Sequence, residues 1–96
     1  DMYWRKSLEK MLSVLKPNGL LVITCATTGR REHGTSQSSD SDSPFTSQIE
    51  GWSDYYKNLT IEDVASVLHP PKNFEPFFEN ATTKFPCDYQ FYGIKK

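Results

Sequence analysis

The chain has 96 residues, of which 36% are hydrophobic, and its eleven basic and twelve acidic side chains leave a net charge of −1. Adding the five glycines brings the apolar share only to about two-fifths, below the ~45–50% of an ordinary globular domain. Near-neutrality argues against nucleic-acid binding, which calls for a strongly basic surface. No apolar run approaches the ~18–20 residues of a membrane span. No basic-then-apolar leader is visible, and two cysteines, Cys25 and Cys87, are too few for a disulfide scaffold. With only His33 and His69 in support, no metal site is expected. A reducing, cytoplasmic setting follows, in which the sequons Asn58-Leu59-Thr60 and Asn80-Ala81-Thr82 read as chance tripeptides.

Trp4, Leu8, Met11, Leu12 and Leu15 form one apolar stripe at helical spacing, so the first segment is predicted to be a helix. Asp1 is placed to cap its start, and Lys16 falls where a last-turn cation complements the dipole. Pro17-Asn18-Gly19 stops it, with Gly19 the residue expected to take the positive φ of the reversal. Leu20 to Cys25 is a continuous apolar run, the pattern of a strand covered on both faces. Thr35 to Ser47 is nearly all serine, threonine, aspartate and glutamine at its core and reads as a mobile loop, with Pro44-Phe45 an anchor at its far end. It follows the C-terminal end of the buried strand, where open α/β sheets bind ligands. Thr60 caps a second helix whose buried stripe is Ile61, Val64, Ala65 and Leu68, ended sharply by His69-Pro70-Pro71. Two aromatic strands close the chain, Phe74 to Phe78 and Asp88 to Lys95, and Pro76 consigns the first to a sheet edge.

This order, with Leu12-Ser-Val-Leu-Lys-Pro-Asn-Gly-Leu-Leu-Val-Ile-Thr24 at its heart, resembles the C-terminal half of class I S-adenosylmethionine-dependent methyltransferases. The turn looks like the family's Leu-Lys-Pro-Gly-Gly before the fifth strand, with Asn18 replacing the first glycine. The stretch from Thr27 to Thr35, with Ser43-Pro44-Phe45 and Tyr55 to Thr60, is similar to a subgroup with poorly defined acceptors. The resemblance implies an α/β Rossmann-like fragment of three strands and two helices, the seventh strand (Asp88 to Lys95) antiparallel between the fifth and sixth. It implies methyl transfer to a small-molecule, sugar or lipid-linked acceptor. The family's glycine-rich cofactor turn has no counterpart here, since no Gly-x-Gly occurs. S-adenosylmethionine would then be bound mainly by residues outside this chain, and residues 1–96 would be a truncated, by itself inactive, methyltransferase domain with an exposed sheet edge open to association.

His33, just past the buried strand, is the candidate general base on an acceptor hydroxyl or amine, or else a solvated loop histidine. Arg30 is either half of a clamp for an anionic acceptor with Arg31 or part of a solvated cluster beside Glu32. Trp52, Tyr55 and Tyr56 form an aromatic wall or lid, or equally one packed helical turn, and Thr35 joins them as an acceptor contact. The expected strand pairing brings Cys25 and Cys87 near one another, as a disulfide or as two buried thiols. A non-catalytic module that binds a protein through the aromatic hairpin is the alternative function. A nicotinamide-dependent Rossmann enzyme fits the terminal antiparallel pair less well.

Overall fold

A computed structural model describes residues 2–38, 45–46 and 48–96. The expected cap at Asp1, the Ser/Asp-rich core of the middle loop and Pro44 lie outside the described residues. Six elements follow one another: α1 (Trp4–Val14), β1 (Leu20–Ala26), α2 (Ile61–Leu68), α3 (Pro70–Asn73), β2 (Phe74–Ala81) and β3 (Asp88–Lys95). The chain divides into two compact units, one of Asp1–Trp4 with Arg31–Lys57, the other of Arg5–Arg30 with Asn58–Lys96. The second unit is a small α/β domain.

Its sheet has the order β1-β3-β2, with β3 antiparallel to both neighbours. The strand nearest the C-terminus is thus the central one. Pro76 lies on the edge strand β2, inside a register shift between Phe74 and Phe77 where the ladder is interrupted and a missing N–H is tolerated. β2 runs three residues beyond the Phe78 expected from sequence, because Glu79, Asn80 and Ala81 find partners in Phe91, Gln90 and Tyr89.

One face of this sheet carries the core. Tyr89, Phe91 and Gly93 alternate toward it on β3, and Leu21 does so on β1. Val64, Val67 and Leu68 of α2 and Phe74 of β2 are buried with them. Phe91 meets Phe74 edge-on at 5.1 Å and stacks at 6.2 Å on Phe77, which fixes the hydrophobic centre with aromatic geometry as well as area. Gly93 has no room for a side chain, since a Cβ there would lie 3.0–3.1 Å from Phe74, Phe91 and Phe77.

The other face is open, which corrects the expectation that β1 is covered on both sides. Val22, Tyr92 and Phe78 lie side by side across the three strands, and all three are exposed. The apolar run of β1 matches a two-sided strand in composition, but among the described residues nothing lies on its second face. Among the described residues its outer edge is also bare over most of its length. Thr27 N–H bonds Cys87 O and Lys95 N–H bonds Gly19 O, so odd-numbered β1 residues face β3 and Leu20, Val22 and Thr24 turn their backbone groups away. At Ala26 the edge is taken by Leu59, whose N–H reaches the Ala26 carbonyl at 3.0 Å.

The helices show why local pattern was an incomplete guide. α1 ends at Val14, one residue before the end of the stripe at Leu15, so Lys16 is outside its last turn. The cation at that terminus is Lys95, whose Nζ donates to the carbonyls of Leu15 (2.7 Å) and Leu12 (3.1 Å). The positive φ of the reversal belongs to Asn18 (68°) and not to Gly19. Gly19 is required for space, because a Cβ would come within 2.7 Å of Leu15 Cδ1 and 2.8 Å of Lys16 O. α2 begins as expected, with Thr60 Oγ1 accepting from Asp63 N–H and the Asp63 carboxylate accepting from Thr60 N–H. Val67 is buried where Ile61 and Ala65 are only half-buried, a rotation of the stripe toward Phe74. His69 breaks α2 in a left-handed conformation, yet the two prolines open the one-turn helix α3 instead of ending helical structure, as first-turn positions permit.

Replacing Phe91 by alanine removes the ring that Phe74 and Phe77 both contact, at a site 1% exposed. A loss of about 3–5 kcal/mol is expected. Urea unfolding followed by far-UV circular dichroism measures it, and a loss below about 1 kcal/mol would show that Phe91 is not central to the core.

Candidate functional site

The unit that holds residues 31–57 is built from turns tied by short-range hydrogen bonds. Thr35 is 4% exposed, its hydroxyl donates to Glu32 Oε2 at 3.0 Å, and its oxygen accepts from Gln37 N–H at 3.3 Å. Thr46 donates to the Gly34 carbonyl at 2.9 Å, and Ser36 N–H reaches Ser53 O at 2.9 Å. Gly51 has φ +84°, and a Cβ there would crowd Met2 Sδ at 3.2 Å and Tyr3 Cε2 at 3.3 Å. Gly34 and Thr35 are buried. Phe45 of the expected anchor is 87% exposed.

Within this unit lies a cleft of about 80 Å³, lined by the side chains of Glu32, Asp54, Tyr55 and Tyr56 together with Thr35, Gln37 and Ser53. Of the residues chosen from sequence, Thr35, Tyr55 and Tyr56 meet here. His33 stands against Tyr56, ring edge to ring face at 5.3 Å and 72°, and is half-buried. Its Nδ1 is 3.2 Å from Tyr56 Oη and 3.0 Å from Arg31 O. Trp52 is exposed and does not line the cleft. It belongs to a turn in which its N–H and that of Ser53 bond the Ile49 carbonyl, at 2.9 and 2.7 Å. Glu32, Gln37, Ser53 and Asp54 were not among the residues singled out from sequence. Their convergence depends on the Ser36–Ser53 bonds, and no spacing pattern encodes a contact between turns so far apart.

Arg30 belongs to the other unit. Its guanidinium forms an ion pair with Asp88 and donates through Nε to Pro86 O at 2.6 Å. Its carbonyl accepts from the Asn58 side chain at 2.9 Å. Nearby, the buried Thr27 hydroxyl donates to Leu59 O at 2.6 Å. These bonds tie the end of β1 to the chain before α2 and before β3. They also engage the first sequon in structure, since Asn58 is the donor to Arg30 and Thr60 is the cap of α2.

Cys25 and Cys87 are free thiols. Cys25 faces Tyr89 across the ladder and Thr27 bonds Cys87, so the cysteines sit one diagonal step apart. Burial, seconded by the Asp88 carboxylate, pushes the Cys25 thiol up to about 11. Burial also raises the Tyr89 phenol, as do the charge of Glu79 and the bond that Tyr89 donates to it at 3.2 Å. Among the described residues no group of three His, Cys, Asp or Glu is placed to hold a metal ion, and no helix is long and apolar enough to cross a membrane.

Three outcomes follow from these environments. Two units above the ordinary value of 9.0, Cys25 carries about 100-fold less thiolate at pH 8 than an unperturbed thiol. Its alkylation by iodoacetamide in the folded chain should be slower by about that factor than in denaturant. Because the unfolded chain releases this proton first, stability is present below pH 9 and falls as pH rises from about 9 through about 11. A Cys25→Ala variant should lose that part of the slope. Arg30→Ala leaves Asp88 and the Pro86 carbonyl without their partner and should cost about 1–3 kcal/mol in denaturant unfolding.

No protein-family model, no curated protein and no solved structure matches this chain.

Proposed function

We propose that the chain is the acceptor-side half of an S-adenosylmethionine-dependent methyltransferase of the cytoplasm, acting on a small-molecule, sugar or lipid-linked acceptor. The observation that carries this reading is the topology around β3. The last strand enters antiparallel between β1 and β2, and β1 is fed by a helix and a Leu-Lys-Pro-Asn-Gly turn. That is the arrangement the sequence resemblance implies for the C-terminal half of the class I fold.

In such a reaction the protein's main task is to hold an acceptor lone pair in line and to keep water out. A hydroxyl or amine acceptor also needs a place for its proton. His33 would supply it, with Thr35, Tyr55 and Tyr56 positioning the acceptor in the cleft. The cleft does not fit S-adenosylmethionine itself. At about 80 Å³ it is far smaller than the ~300–1,000 Å³ of pockets that enclose nucleoside-sized ligands. On this reading S-adenosylmethionine is bound mainly by residues outside this chain, and the 96 residues by themselves are inactive.

The alternative is a non-catalytic module that docks a protein partner. It is favoured by the exposed row of Val22, Tyr92 and Phe78, in which Phe78 and Tyr92 stack at 5.1 Å. Calorimetric titration with S-adenosylhomocysteine separates the readings. The expected result is saturable binding by the full product of the gene and none by the isolated 96 residues. Absence of binding by both would reject the methyltransferase and leave the docking module.

A further inference from the structure

The His33 imidazole has one ring nitrogen held and one released. Nδ1 lies 3.0 Å from the Arg31 carbonyl oxygen and 3.2 Å from Tyr56 Oη, while Tyr56 Oη lies 3.1 Å from the same carbonyl. Three polar atoms thus form a triangle, and the hydrogens available to it decide the tautomer. A carbonyl oxygen only accepts, and it has two lone pairs to accept with.

With the ring proton on Nδ1, the triangle holds two hydrogens. Nδ1–H donates to Arg31 O, and the Tyr56 hydroxyl donates to the second lone pair of that oxygen. With the proton on Nε2 instead, the triangle holds only the phenolic hydrogen. The lone pair of Nδ1 would then face the carbonyl oxygen at 3.0 Å, and Tyr56 would have to choose between two acceptors. The first arrangement satisfies every contact and the second leaves one repulsive. Nε2 makes no hydrogen bond among the described residues, and no buried side-chain nitrogen or oxygen lacks a partner among them, so Nε2 reaches solvent.

We propose that the Arg31 carbonyl positions the His33 proton: it fixes the tautomer protonated at Nδ1 and presents the Nε2 lone pair as a proton acceptor. The Tyr56 ring, edge-on to the imidazole at 5.3 Å, holds the plane in which this triangle closes. A proton arriving at Nε2 leaves the Nδ1–H bond in place, and the resulting imidazolium keeps two oxygens against its positive edge. Nothing has to reorganise when the proton moves. Under the methyltransferase reading, on which this role rests, the bond that breaks is the acceptor's O–H or N–H. The proton goes to Nε2 and the electron pair stays on the acceptor atom.

The test is the long-range ¹H–¹⁵N correlation spectrum of the imidazoles in the 96-residue chain, at a pH where the rings are neutral. For His33 the expected pattern is a pyrrole-type Nδ1 and a pyridine-type Nε2, with the exposed His69 as the internal comparison. Tyr56→Phe should keep that pattern, because the Arg31 carbonyl stays against Nδ1. An Nε2–H pattern for His33 in the unaltered chain would overturn the proposal, as would a pattern moved to that of His69 in a folded Tyr56→Phe. The unaltered chain decides the tautomer even if the variant does not fold. Because the spectrum needs neither cofactor nor turnover, its failure is distinct from a failure to bind S-adenosylhomocysteine.

Discussion

β3 is the strand without which this fold has no sheet. Among the described residues it is the sole strand paired with β1 and with β2, and it carries Tyr89 and Phe91, two of the most deeply buried side chains. Because β3 is also last in the chain, the β1 ladder joins residues about seventy positions apart. Such pairing repays its loop-closure entropy only once the whole sheet is assembled. Asp88, the first residue of β3, holds Arg30 past the end of β1. Lys95, its last, closes the C-terminus of α1. The same strand therefore sets the sheet order, the core and both of these polar ties.

Those ties follow a common logic. A main-chain group left over at the end of an element needs a partner, and in this chain the partner comes from far away. The carbonyls of Leu12 and Leu15 take Lys95, the Leu59 carbonyl takes Thr27, and the Pro86 carbonyl takes Arg30. Cations that would suit a ligand or a helix dipole locally are thereby committed to structure. Arg30 is the clearest case, since its position just beyond β1 suggested anion binding.

The candidate site was legible in part. An aromatic pair and a histidine beyond a buried strand identify Tyr55, Tyr56 and His33 as worth attention; the two tyrosines meet Thr35 around one small cleft, and His33 stands against Tyr56. Trp52 is exposed and does not join them. The carboxylates of Glu32 and Asp54 were not chosen as site residues. Each reads as an ordinary surface acid until Thr35 and the Gly51 N–H bind one of them apiece. Side chains that meet through turns obey no periodicity, so the sequence supplies candidates but not their geometry.

What the sequence determined by itself is the set of elements whose signals are local. Thr60 and Asp63 specify the start of α2, Pro76 specifies an edge strand, and alternation specifies β3 to the residue. Each depends on neighbours a few positions away, and the physics of caps, missing donors and side-chain alternation acts at that range. Tertiary structure alone decided that Gly19 is glycine for want of space while Asn18 takes the positive φ. It also decided that Lys95 and not Lys16 serves α1, and that β1 buries one face rather than two. Burial and hydrogen-bond partnership are properties of what lies across the gap, and residues far along the chain occupy that gap.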